Sequence, residues 1–111
     1  MSIEFYYDEF GFARSRAVGN FKLLADYCIS DIQRSYTSCS EMLAVLEMVK
    51  SGKLGEWHGN GNAYSVEIYP DKVFIECDYR DNDAAIFSLD EYKAGVEDWE
   101  RFIKNTTPSE G

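Results

Sequence analysis

Three carboxylates, Glu67, Glu76 and Asp78, crowd into the stretch VEIYPDKVFIECDY, residues 66 to 79. Paired carboxylates can act as acid and base in hydrolysis. That chemistry needs a cleft that moves their pKa values apart, and the flanking residues announce none. His58 is the single histidine, beside Trp57 in EWHGNGNA. As a general base or metal ligand it would need partners, yet there is no second histidine and no serine or cysteine in a nucleophile context. It reads as a loop histidine. GNGN, residues 59 to 62, lacks the Lys-Ser or Lys-Thr and the following helix of a phosphate loop, so it reads as a turn. DYRDND, residues 78 to 83, would need Gly at position 83 and Glu at position 89 to be a calcium loop, and holds Asp83 and Leu89 instead. A solvated acidic loop, with Asp81 and Asp83, is the expectation. Cys28, Cys39 and Cys77 are odd in number and show no C-x-x-C spacing, which argues against zinc and against a disulfide framework. No catalytic residue, metal site or cofactor is assigned.

The carboxylates gain meaning from the elements that must carry them. If Pro70 and Asp71 form the turn, Tyr69 pairs with Lys72 and the ladder follows. Ile68 and Val73, Val66 and Ile75, and Tyr64 and Cys77 then share one side. Glu67 with Phe74, Ser65 with Glu76, and Ala63 with Asp78 share the other. Apolar and polar residues separate cleanly, so a hairpin with one buried face is expected. Residues 3 to 8 alternate Ile3, Phe5, Tyr7 against Glu4, Tyr6, Asp8, a half-buried strand, and FARSRAV reads as its weaker hairpin partner. If that first strand joins the same sheet, Glu4, Tyr6 and Asp8 extend the acidic face. Residues 20 to 33 fit a helical stripe (Phe21, Leu24, Cys28, Ile32) and an alternation almost equally; helix is the reading adopted. Ser38 and Glu41 are spaced as a capping box before the stripe Met42, Val45, Leu46, Val49, with Gly52 ending that helix. Residues 52 to 63, GKLGEWHGNGNA, read as a loop or irregular strand entry. SLDEYKAGVEDWERFIKN opens with the box Ser88 and Glu91, and Leu89, Tyr92, Val96, Trp99 and Ile103 form a packing stripe. Gly95 within it either weakens the helix or allows a close approach to the sheet. The expectation is one α+β domain over residues 1–111. It has an antiparallel sheet of four or more strands with two or three helices on one face, the other left to water or a partner.

The 111 residues are 45% hydrophobic, 15% aromatic and carry a formal charge of −9, a composition for a folded domain. Residues 1 to 53 hold seven acids and six bases, −1, and residues 54 to 111 hold thirteen acids and five bases, −8. Such a field repels nucleic acid and anionic membranes and attracts a basic partner. The N-terminus MSIEFYYDEFG has acids where a signal peptide has bases, so a cytoplasmic address is expected. The face built from Glu67, Phe74, Glu76 and Asp78, with Glu4, Tyr6, Asp8, Asp81 and Asp83 around it, is the candidate partner surface. Charge steers encounter there while aromatic burial holds the complex.

EWHGNGNAYSVEIYPDKVFIECDY, an acidic linker and FSLDEYKAGVEDWERFI, together roughly residues 55 to 104, resemble small bacterial immunity proteins of contact-dependent growth inhibition and other polymorphic toxin systems. IEFYYDEFG does so more loosely. The same ending is similar to that of YacL-like proteins. The resemblance implies a non-enzymatic antitoxin that binds a cognate toxin C-terminal domain, commonly a nuclease with a basic groove, and occludes it. The alternative is a housekeeping protein-binding module or a homodimer using the same open face. Oligomeric state and toxin identity are left open by the sequence.

Overall fold

The computed structural model describes residues 3–105. The chain runs β1 (Phe5–Tyr7), β2 (Ala13–Ser15), α1 (Asn20–Tyr27), one turn of π-helix (Cys28–Ile32), α2 (Tyr36–Lys50), β3 (Trp57–Asn60), β4 (Tyr64–Tyr69), β5 (Lys72–Cys77), β6 (Ala84–Phe87) and α3 (Leu89–Asn105). The fold is α+β, with a four-stranded antiparallel sheet ordered β3-β4-β5-β6 and a separate ribbon of β1 and β2.

The β4–β5 register is the one the sequence implies, from Tyr69 opposite Lys72 to Tyr64 opposite Cys77. Neither Pro70 nor Asp71 has a positive φ, so the turn is of the ordinary hand that Pro-Asp favours. Val66, Ile68, Val73 and Ile75 are buried, as are Ala85 and Phe87 on β6. The helices close over this row, α2 against β4, α1 against β6, and α3 against β5 and β6. Two of the sheet's strands differ from expectation. β3 is a regular strand where a loop or irregular strand entry was expected, and β6 forms within the expected acidic linker. Each is four residues long, too short to declare itself, and is completed by pairing with a six-residue central strand.

The opening hairpin does not join the sheet. Phe5 packs edge-on against Trp99 with ring centroids 4.9 Å apart, and Tyr7 lies 4.8 Å from Phe102. The Ile3 N–H donates to the buried Asp98 Oδ2 at 2.7 Å. The ribbon is therefore bound to α3, and the sheet's two edges are β3 and β6.

Helix ends follow local chemistry, with one correction. In α3 the box forms as expected, Ser88 N–H donating to Glu91 Oε1 at 2.8 Å and Glu91 N–H to Ser88 Oγ at 3.0 Å. The stripe Leu89, Tyr92, Val96, Trp99, Ile103 is buried throughout. In α2 the cap is Ser35, whose Oγ accepts from Ser38 N–H at 3.0 Å; Ser38 and Glu41 form no box. The earlier start is held by the Tyr36 hydroxyl, which donates to the Ile103 carbonyl at 2.9 Å, and by Trp99 Nε1, which donates to the Gln33 carbonyl at 2.6 Å. α2 ends at Lys50 with Ser51 as its cap, and Gly52 follows with φ +85°, as expected of a terminating glycine. Gly95 does serve a close approach, to α1 rather than the sheet: a Cβ there would lie 2.6 Å from Leu24 Cδ2.

Removing the Asp98 carboxylate leaves the buried Ile3 N–H without an acceptor. Asp98→Ala should lower unfolding stability by about 1–3 kcal/mol, read as a shift of the urea midpoint; an unchanged midpoint would show that the contact to α3 does not hold the ribbon.

Candidate functional site

The uncovered side of the sheet is set by strand parity. Across it runs a row His58–Glu67–Phe74–Ile86, and beside it Asn60–Ser65–Glu76–Ala84. Tyr69 and Lys72 close one end. Ile86 is 58% exposed, Phe74 is half-buried, and Glu76 is open to solvent. An apolar pair thus occupies the middle of the β5–β6 half. A shallow depression of about 420 Å³ between Glu67, Tyr69, Phe74 and Ile86 deepens the face slightly.

The carboxylates around that pair are held by short polar contacts. The Tyr69 hydroxyl donates to Glu67 Oε1, and the Lys72 ammonium lies 5.6 Å from the centre of the Tyr69 ring. Ser65 Oγ donates to Asp78 Oδ1 at 2.6 Å. His58 Nε2 faces the Glu56 carboxylate, and its ring stands edge-on to Tyr69 at 5.7 Å. Glu56, Glu67, Glu76 and Asp78 therefore meet Lys72 and His58, and among the described residues the acids are in excess. His58 sits on the edge strand rather than in a loop, and its exposed position gives it no enclosed substrate space.

The remaining expected residues fall elsewhere. Glu4, Tyr6 and Asp8 belong to the ribbon and are absent from this face. Glu4 pairs with Arg16 at 2.9 Å, Tyr6 lies under the Arg16 guanidinium at 4.4 Å, and Asp8 pairs with Arg14 at 2.9 Å. Asp8 also accepts from the N–H groups of Phe10 and Phe12, each at 2.9 Å. These bonds hold its carboxyl below the ordinary range, the one from Phe12 most strongly. Asp8 is thus a turn-builder, locally satisfied. Asp81 and Asp83 lie in the β5–β6 loop beyond the sheet end, close to Glu76 and Asp78 around a depression of about 410 Å³. Asp83 is tied to Arg80 at 2.9 Å, and Asp81 is exposed. Among the described residues no group of three or more carboxylates, histidines or cysteines is gathered for metal binding.

Sequence reasoning missed three residues. Ile86 was hidden in the acidic linker, although Ala85 and Phe87 on either side of it alternate with it. Asp31 carries no motif, yet its carboxylate accepts from Ala63 N–H and Tyr64 N–H, both at 3.0 Å, and so fastens the π-turn to the start of β4. Burial nonetheless raises its pKa. Gly61 is needed there, because a Cβ would lie 2.6 Å from Asp31 Oδ2. Glu41, freed from the expected cap, points its chemistry elsewhere.

The cysteines hold no bond to one another. Burial pushes Cys28 up and Cys39 to about 11, while Cys77 is half-buried on β5. Among the described residues no helix is long and apolar enough to cross a membrane. Comparison with family models, with curated proteins and with solved structures gives no match.

Several tyrosines hold their protons tightly. The hydrogen bond to Glu67 pushes Tyr69 to about 12, and burial does the same for Tyr64. Tyr27 and Tyr92, whose hydroxyls share a buried 2.8 Å bond, go higher still through burial. A raised folded pKa favours the folded state fully below the unfolded value of about 10 and progressively less as pH climbs through the folded values. Stability should therefore hold to about pH 10 and fall from there through about pH 12. At pH 11 the folded protein should show less tyrosinate absorbance at 295 nm than the urea-unfolded chain; equal absorbance with the fold intact would contradict this account.

Proposed function

We propose that this chain is an immunity protein, which binds a basic toxin domain and blocks its working surface without turnover. The observation that carries the reading is the uncovered sheet face, where half-buried Phe74 and exposed Ile86 stand among Glu56, Glu67, Glu76 and Asp78. Apolar centres ringed by charge are the usual make-up of a protein-binding patch. An acidic ring selects a cationic partner and rejects nucleic acid, the same preference that the net charge of −9 expresses for the whole chain. Of basic protein surfaces, the groove of a nuclease toxin fits both this charge and the resemblance of residues 55 to 104 to immunity proteins. Covering that groove is sufficient for inhibition, so the reading requires no catalytic group here. A face with surplus carboxylates repels a second copy of itself, which places the homodimer second.

Charge complementarity of this kind makes association fast at low salt and slower as the Debye length shrinks to about 8 Å at physiological ionic strength. The test is co-expression with any toxin domain that a neighbouring upstream frame is found to encode; an upstream frame without one would count against the reading. The triple variant Glu67→Lys, Glu76→Lys, Asp78→Lys should lose protection and bind the toxin domain at least about tenfold more weakly, since rejection of a like charge is worth more than 1.4 kcal/mol. Its circular dichroism should match the parent's. Full protection by the folded triple variant would remove the interface from this face. Concentration-dependent dimerisation that Ile86→Asp abolishes would favour the homodimer.

A further inference from the structure

Another concave feature lies on the other side of β3, at the sheet's edge. It is a cavity of about 150 Å³ between the π-turn, α2 and β3. Its lining is mostly apolar, with Ile32, Met42 and the Trp57 indole, while Asp31, Glu41 and Ser38 add acidic and hydroxyl groups. The indole lies folded over Gly59, where an added Cβ would come within 2.3 Å of the ring. The absence of a side chain at Gly59 thus permits the ring's position. Among the described residues no cation pairs with Asp31 or Glu41, and no basic residue lines the cavity. The two carboxylates come from separate elements. Asp31 is held rigid by the backbone of residues 63 and 64, and Glu41 is exposed in the second turn of α2.

We infer that this cavity receives the side chain of a lysine or arginine from a polypeptide partner. Its size is about that of a void that takes a benzene-sized molecule, enough for a short aliphatic chain. The apolar lining suits the methylenes, which bury readily behind a charged head. The indole offers an aromatic face to a cation, and Asp31, Glu41 and Ser38 offer acceptors to its N–H donors. β3 is hydrogen-bonded to β4 on one side and forms the edge of the sheet on the other. A partner segment running along that edge would direct side chains alternately to the outward face and to this cavity. The inference rests on the reading that the partner is basic, and it names the cavity as that partner's anchoring pocket.

The two indole N–H signals make the test site-specific in a ¹H–¹⁵N NMR titration. Trp99 Nε1 is buried and bonded to Gln33, so it serves as an internal reference, while Trp57 reports the cavity. The peptide acetyl-Ala-Lys-Ala-amide should shift the Trp57 signal saturably and leave Trp99 in place. The peptide with norleucine for lysine should not. Glu41→Gln, which removes one partly exposed ion pair and no internal bond, should weaken the lysine peptide about fivefold. Equal response to the norleucine peptide, or unchanged affinity in Glu41→Gln, would overturn the inference. So would tighter binding of free putrescine than of the peptide, which would make the source a small amine. If the toxin domain binds normally while the peptides fail, the pocket alone is wrong. If the toxin domain also fails to bind, the proposed function falls with it.

Discussion

Everything in this molecule depends on the β4–β5 ladder keeping its register. Val66, Ile68, Val73 and Ile75 lie on one side because strand side chains alternate, and that row is what the three helices cover. A slip of one residue would turn the slipped strand over, putting Glu67 of β4 or Glu76 of β5 beneath the helices and Ile68 or Ile75 in water. The acidic face is thus the unavoidable complement of the core. Its residues are free to answer to a partner because the opposite residues answer to packing.

α3 is the second organiser. Its stripe meets the sheet, α1 and α2 at once, and Gly95 lets Leu24 come close. Its far side takes the aromatic ribbon through Phe5 and Tyr7. The indole of Trp99 and the carbonyl of Ile103 also fix the residues that begin α2. One consequence reaches the edge cavity: with the cap at Ser35, Glu41 is released from backbone duty and left beside Trp57. The same helix that completes the core therefore decides which carboxylates are available outside it.

Particular elements show why some features were legible and others were not. α3 could be read because a cap and a 3.6-residue stripe are local signals. The hairpin could be read because Pro-Asp and two alternating runs constrain one another. The acidic residues Glu67, Glu76 and Asp78 were placed on the right face for that reason. β3 and β6 were hard to read because WHGN and AAIF are only four residues long and dilute Trp, Ile and Phe with Gly, Asn and Ala; pairing with a central strand completes them. With β6 unseen, Ile86 was unseen, and the face looked less apolar than it is. Two serines three residues apart, Ser35 and Ser38, gave α2 two possible starts, and nothing local chose between them.

The sequence by itself determined the hairpin register, the stripe of α3 and the sign of the charge, since alternation, helical period and composition act over short distances. Tertiary structure alone decided which edge the first strand would meet, that Glu4, Tyr6 and Asp8 would be used up within the ribbon, and that Asp31, Glu41 and Trp57 would share a cavity. Those outcomes turn on competition between distant surfaces: Phe5 packs on Trp99 and Tyr7 on Phe102 rather than on the sheet. No short window of residues contains both sides of that competition.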